Sequence, residues 1–412
     1  MNGRASGGER KGITRYPNVL PLSLAALFND TGADMLFAFY PLFFLMVLKE
    51  PRLRWFGLVE TVTLLIGHII KPFTGKLGDV RGRKPLICLG YLFLSISRFL
   101  QGLARVWPHL IPAKAVYEIG RGMRNPPRAS LLASSVPPGR RGEAFGLLQS
   151  MDTVGAIIGP LLGMGVFSLL AWLGVGVEAR FRIIFFVAAV PTLASILVVA
   201  LLAREVGEGA SPESEPGEEI ETLREAENRR AFYILTSACS LVGLLAITET
   251  MLLACGASIL GIKPEETLKM VFLYWLINIS FAPSAILSGR VSDRVGRKPI
   301  VILGFLVLSA LTALLPLAKR MFSLALIFLA HGVYQGLYKP VREAFVSDLA
   351  PRGLRGKWLG AFEMWTGVAG IVAPFLFGLL WDLLGPFGAC YISAGAALTG
   401  AILISAFVRE AR

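Results

Sequence analysis

The sequence predicts an all-α transmembrane protein: twelve helices in two six-helix bundles related by a pseudo-twofold, with both termini cytoplasmic. Three observations carry this. Of 412 residues, 54% are hydrophobic and 17% charged, against about 25% charged in soluble domains. Apolar runs alternate with short polar breaks along the whole chain, and each crossing of a core roughly 30 Å thick needs about 20 apolar residues. Finally, Gly75, Asp79, Gly82, Arg83, Lys84 and Pro85 return as Gly289, Asp293, Gly296, Arg297, Lys298 and Pro299, an offset of 289 − 75 = 214. Without a gap, the same offset pairs Pro126 with Pro340, Arg128 with Arg342, Arg141 with Arg355 and Pro160 with Pro374. Two halves built alike are the consequence.

The first bundle takes residues 1–203, with spans over 18–47, 55–74, 85–104, 108–134, 144–172 and 183–203. Span 1 follows a basic lead and is too long for a cleaved signal-peptide core, so it is expected to stay in the chain. Its Asp30 and Asp34 are four apart, on one face with Phe37. They lie roughly 16–23 Å along the axis, near mid-membrane. A carboxylate pair there is a candidate for reversible protonation or substrate contact, the alternative being a packing hydrogen bond through Asn29 or Thr31. Span 4 carries Lys114, Glu118, Arg121, Arg124 and Arg128. The first three share a face and read as an ion-pair ladder, while Arg128, with its counterpart Arg342, reads as a structural element of an inner gate. Along span 5, Gly155, Gly159 and Gly163 form a smooth stripe for close helix approach. Pro160 removes a donor and allows a bend, and Asp152 lies three residues before Gly155.

Residues 204–230 hold Glu205, Glu208, Glu213, Glu215, Glu218, Glu219, Glu221, Glu225 and Glu227 among Gly, Ser and Pro, a solvated acidic linker. The second bundle, 231–412, has spans over 231–257, 266–288, 299–318, 322–346, 357–382 and 386–408. Glu249 lies deep in span 7 where the first half has Met35, and Glu363 in span 11 matches Gln149. Both acids join the proton or substrate candidates, as do Glu118 and Asp152. Lys71, His68, Arg98 and His331 read more readily as snorkelling or packed residues.

The net charge of +13 signals topology, with no nucleic-acid partner implied. About 23 Lys and Arg fall on the side of the termini and the two motif loops, against about ten opposite, and the positive-inside bias makes that side cytoplasmic. Cys88, Cys239, Cys255 and Cys390 fall inside spans with no metal or disulfide spacing. No phosphate-binding loop and no nucleophile–base set is legible, so neither an ATP-driven nor an enzymatic function is expected.

A Gly, three residues, Asp, two residues and Gly-Arg-Lys between spans 2 and 3, repeated between spans 8 and 9, resembles the loop signature of the major facilitator superfamily. Gly155-Ala-Ile-Ile-Gly159-Pro160-Leu-Leu-Gly163 is similar to the motif of its drug/proton antiporter branch. The resemblance covers essentially the whole chain and implies the major facilitator fold, alternating access and gating by the loop motif. Asp79 would latch onto the start of span 11 near Arg355–Trp358, a helix N-terminus that favours an anion. Asp293 would face the start of span 5 near Arg141–Phe145, with Arg83 and Arg297 orienting the carboxylates. Loop anchoring to lipid headgroups is the alternative. The family's second signature, an Arg followed by Gln-Gly on span 4, is missing here.

The expectation is a monomeric, multi-pass transporter of the cytoplasmic membrane, proton-coupled and without a cofactor or metal, exporting small amphipathic compounds. A proton symporter for an organic anion or nutrient, or a non-transporting sensor on the same scaffold, stands as the alternative.

Overall fold

A computed structural model describes residues 12–137, 140–206, 223–351 and 354–408, and the side chains at 71–81, 223–226 and 355–356 lie outside that set. Most of the linker therefore also lies outside the described residues. α1 is Val19–Phe37, continued by Phe39–Leu42 and a π-turn at Phe43–Val47. There follow α2 (Leu53–Arg81), α3 (Arg83–Gly102), α4 (Leu110–Ser134), α5 (Arg141–Trp172) and α6 (Val177–Leu202). α7 comes in two pieces, Leu223–Leu245 and Glu249–Leu260. α8 (Thr267–Val295), α9 (Arg297–Leu314) and α10 (Met321–Leu349) precede one long run, Arg355–Phe407, broken at Gly385 with φ 71° and ψ −179°. We call its two sides α11 (355–384) and α12 (386–407).

Ten segments among the described residues are long and apolar enough to cross a membrane, where twelve spans are expected. The difference has two physical sources. α4 carries Lys114, Glu118, Arg121, Arg124 and Arg128, too many charges for an apolar segment, and α11 and α12 form one unbroken stretch apart from Gly385. A second correction concerns span 7, expected as one helix. It opens at Ala246–Thr248 because the Thr248 hydroxyl accepts from the Met251 backbone amide and starts a new helix there.

The repeat survives into tertiary contacts. Gly82 (φ 88°) and Gly296 (φ 99°) are the single residues between α2 and α3 and between α8 and α9. That backbone conformation suits glycine alone, so the motif turns without a loop. Arg83 donates to the Ser134 hydroxyl at 2.7 Å, and Arg297 reaches Asp348 at 3.1 Å. Both steps obey the offset, 297 − 83 = 214 and 348 − 134 = 214. Each motif arginine thus ties its loop to the end of α4 or α10.

Backbone-to-backbone packing sets the helix arrangement. On α5, a Cβ at Gly155, Gly159 or Gly163 would come within 2.7, 2.6 and 2.9 Å of carbonyl oxygens of Leu27, Thr31 and Met35 on α1. The predicted stripe therefore has α1 as its partner, and α5 runs on through Pro160. Between the halves, α2 lies against α11: a Cβ at Gly57 would stand 2.1 Å from the Pro374 carbonyl oxygen, and Thr61 donates to the Ile371 carbonyl at 2.8 Å. At the end of this seam the Asp382 carboxylate of α11 accepts from the Leu53 and Arg54 amides, at 3.1 and 3.2 Å, with the Arg54 side chain at 3.7 Å. An acid from one half caps a helix of the other. Met46 and Thr267, and the Phe39–Leu42 turn against Glu249–Leu260, close the same end.

Removing this cap has a measurable consequence. Asp382→Ala is expected to weaken the α2–α11 seam by about 1–2 kcal/mol, a roughly 5- to 30-fold shift in the equilibrium between the closed and the parted seam. Distances between spin labels placed beyond Leu53 and beyond Leu384 should report it, and an unchanged distance distribution would mean that Asp382 does not hold the seam.

Candidate functional site

The polar centre lies where α1, α2 and α4 of the first half meet α7, α8 and α10 of the second. Asp34 on α1 accepts from the Tyr274 hydroxyl on α8, and Phe37, one turn on, stacks on the Tyr274 ring at 4.7 Å between centroids. Asp30, a turn earlier, accepts from the side chain of its neighbour Asn29 at 2.7 Å. Neither aspartate is wholly buried.

A cavity of about 190 Å³ is lined by Tyr40, Glu60, Lys114, Glu118 and Arg121, among others. Lys114 pairs with Glu60 on α2 and sits 4.3 Å above the Tyr40 ring. Glu118 pairs with Arg121 at 3.3 Å. The expected ladder Lys114–Glu118–Arg121 is thus corrected: Glu60 on the neighbouring helix captures Lys114, leaving Glu118 to Arg121. Gly67 makes room for Glu118, since a Cβ there would stand 2.5 Å from Glu118 Oε2.

In the second half, Glu249 accepts from Gln335 at 2.6 Å and lies 3.5 Å from Lys339, which itself donates to Gln335 at 2.6 Å. The break in α7 is what delivers Glu249 here, as the first residue of a new helix. By the offset, 335 − 121 = 214 and 274 − 60 = 214, so Gln335 stands where the first half has Arg121, and Tyr274 where it has Glu60. Equivalent positions in the two halves carry different chemistry.

The remaining candidates fall outside this centre. Asp152 lies 3.7 Å from Arg128, an ion pair between α5 and α4. Arg342, the counterpart of Arg128, instead lies 4.8 Å over the Tyr338 ring and 5.8 Å from that of Phe362, so the pair has no common role in the contacts. Glu363 is exposed on α11. Asp293 does not reach the start of α5 as expected: Arg297 of its own motif holds it at 2.6 Å, its side chain 63% exposed, while Arg141 donates to the Ala133 carbonyl. Arg297, just across the Gly296 turn, is simply nearer. The Lys84 backbone amide donates to the Glu205 carboxylate, and the Lys298 side chain donates to the Ser405 carbonyl. A Cβ at Gly289 would meet open space. The proposed latch of Asp79 on Arg355 falls on side chains outside the described residues, as does the packing around Gly75.

Arg98 takes the packed of its two expected forms. It does not snorkel: only 1% exposed, it donates to the Ala188 carbonyl at 2.7 Å, to the Thr192 hydroxyl and to the Asn29 carbonyl at 3.3 Å. Sequence reasoning missed Glu60, Tyr274, Gln335, Lys339 and Asp382. Glu60 was open to the rule that singled out Asp30, since it is an ionisable residue inside an apolar span.

Comparison with known proteins bears on the whole chain. The Major Facilitator Superfamily profile matches residues 22–294 and 270–412. An MFS-type transporter of Methanocaldococcus jannaschii is 26% identical over 388 residues, covering 94% of this chain and 94% of its own. The multidrug resistance protein MdtG of Dickeya zeae is 27% identical over 341 residues, covering 78% and 76%. Among solved structures, the nucleoside transporter NupG superposes with a TM-score of 0.72 at 12% identity, covering 96% of this chain and 100% of that one. The inward-open xylose transporter XylE from E. coli gives 0.69 at 14%, covering 96% of each. Such identities speak for the fold alone, and the profile for the family. With a profile that runs through both halves, a transporter fold and no enzymatic relative among those named, this chain belongs to the major facilitator superfamily.

Proposed function

We propose that the chain is a proton-coupled secondary transporter exporting small amphipathic compounds by alternating access. It crosses the cytoplasmic membrane twelve times, in bundles 1–203 and 231–412 joined by the acidic linker, with both termini in the cytoplasm. The 214-residue offset, kept in the contacts Arg83–Ser134 and Arg297–Asp348, supports two like bundles. The lean of lysines and arginines towards the motif end supports the orientation. The charges of α4 are compatible with a crossing because Lys114, Glu118, Arg121 and Arg128 are each paired inside the protein. Energy would come from the proton gradient with no cofactor, and the unit would be a monomer.

The observation that carries the coupling is the bond between Asp34 and Tyr274. One ionisable carboxylate in the interior touches the opposite half, so its proton and the contact between halves are linked. That linkage supports a proton lever on the access equilibrium. Resemblance to relatives named for multidrug resistance supports export, and the glycine stripe of α5 against α1 supports the antiporter-like branch.

The test is a proton-flux assay. Purified protein in vesicles loaded with a pH dye receives a chemically varied panel of amphipathic compounds under an imposed pH gradient. The expected result is compound-dependent proton movement for some members of the panel. Compound flux that is indifferent to the pH gradient would overturn proton coupling, and proton movement in the same direction as the compound would replace exchange by symport.

A further inference from the structure

We infer that the compound taken by this site is an organic anion, an acidic headgroup on an aromatic or aliphatic body. The inference rests on the transporter reading above and narrows its substrate class.

The ion pairs of the site are not evenly buried. In the pair on α4, the Arg121 side chain is 39% exposed and that of Glu118 7%. In the pair between α7 and α10, Lys339 is 48% exposed and Glu249 26%. In both, the carboxylate is turned inward to anchor the cation, and the cation reaches free space. An incoming charged group meets the exposed partner first. An ammonium group would have to displace Arg121 to reach Glu118, or Lys339 to reach Glu249, whereas an anion adds to a cation already held in place.

The cavity's own balance points the same way. Its charged lining consists of Arg98, Lys114 and Arg121 against Glu60 and Glu118, so 3 − 2 = +1 with every group ionised. Arg98 gives its hydrogen bonds to neutral oxygens, two carbonyls and a hydroxyl, and its positive charge, opposed through space by Asp30 and Asp34 on α1, lies at the cavity wall in a medium of low dielectric constant. Asp34, the nearby carboxylate on α1, already accepts from Tyr274. The guanidinium fork of Arg121 matches a planar carboxylate, with two parallel bonds available. Phe37, Tyr40 and Tyr117 line the same cavity and offer flat apolar surface to the body of the molecule. Arg121 and Gln335 are repeat equivalents, and Lys339 lies one turn beyond Gln335, so the two exposed cations approach from matching faces of α4 and α10.

The experiment compares twin probes that share a body and differ in the sign of the headgroup: 2-naphthoate with 2-naphthylmethylammonium, 4-phenylbutyrate with 4-phenylbutylammonium, and decanoate with decylammonium. Binding to the purified full-length protein is read by quenching of tryptophan fluorescence, and flux by the vesicle assay. At least one anion is expected to bind tenfold or more tightly than its ammonium twin. That affinity should fall roughly tenfold in the double variant Glu118→Gln/Arg121→Gln, the loss of one charge-assisted bond, and persist in Arg121→Lys. The double variant removes both members of the pair and so leaves no unpaired buried charge. Lys339→Gln, at an exposed position, gives a second reading if the double variant elutes as aggregate on size exclusion.

Equal or tighter binding of the ammonium twins overturns the inference, as does absence of any anion preference, or an affinity unmoved by both the double variant and Lys339→Gln. Proton-coupled flux of the ammonium compounds alone overturns the anion while leaving the transporter reading intact. No flux of any probe, by a protein that binds none, overturns both.

Discussion

Gly159→Val is expected to abolish assembly of the first bundle. A Cβ at this position would stand 2.6 Å from the Thr31 carbonyl oxygen, 2.8 Å from the Met35 amide nitrogen and 3.0 Å from the Asp34 Cβ. The first two are backbone atoms of a helix, so no side-chain rotation relieves them. Even alanine must push α1 and α5 apart, which costs about 1–3 kcal/mol where a well-packed core is overfilled. Valine adds two methyl groups on the same line, and its cost, roughly 3 kcal/mol or more, is comparable to a large share of the stability of a typical domain. Gly165→Val on the same helix is the control, since a Cβ there meets nothing within 4 Å. Size-exclusion profiles and thermal unfolding in detergent should separate them: Gly165→Val monodisperse, Gly159→Val aggregated or melting far lower. Equal profiles would mean that the two helices are not held at this distance.

The stripe also shows why so much of the first half could be read in advance. Glycines four apart leave one flat line on a helix whatever the neighbours are, and a glycine forced to φ 88° or 99° ends a helix wherever it stands. Such signals are local. The turns at Gly82 and Gly296, the repeat and the apolar spans were therefore legible, while the partner of the stripe, α1, became visible only in three dimensions. The break in α7 was hidden because Thr248, Glu249 and Thr250 form only a short polar dip inside a long apolar run, and the accepting hydroxyl of Thr248 reveals a new helix start.

Ion pairs were read least well, for a physical reason. Spacing along one helix favours partners three or four residues apart by only about 0.2–0.5 kcal/mol, and a carboxylate on a neighbouring helix easily outbids that. Glu60 takes Lys114 from Glu118, and Glu249 finds Lys339. Where no neighbour competes, the local partner wins, as Arg297 does for Asp293. The cap chemistry expected of Asp79 at the motif end occurs, with other residues, at the opposite end: Asp382 of α11 on the start of α2. The principle was sound, but which acid meets which helix end depends on how the halves are tilted.

Asp34→Asn is expected to uncouple transport from the proton gradient while sparing the fold. A carboxylate at this position accepts a charge-assisted bond from the Tyr274 hydroxyl, worth about 1.5–3 kcal/mol, against about 0.5–1.5 kcal/mol for a neutral acceptor. Taking up a proton therefore weakens the contact between α1 and α8 by roughly 1–1.5 kcal/mol, close to a tenfold change in the balance between access states. Asparagine fixes the weaker bond permanently. It fills the same space, so packing against Gly159 and stacking of Phe37 on Tyr274 should persist. In vesicles, gradient-driven flux should drop about tenfold or more, while exchange of compound without a gradient continues. Tyr274→Phe separates the two parts of the argument, because it removes the bond in both protonation states yet leaves the acid able to bind a proton. It should abolish the pH dependence of interhalf distances measured by spin labels, as Asp34→Asn should, but keep proton uptake by the detergent-solubilised protein. If Asp34→Asn carries compound up a pH gradient as well as the wild type does, the coupling proton resides elsewhere, and Glu249, the acid of the second half bonded at this centre, is the next to replace.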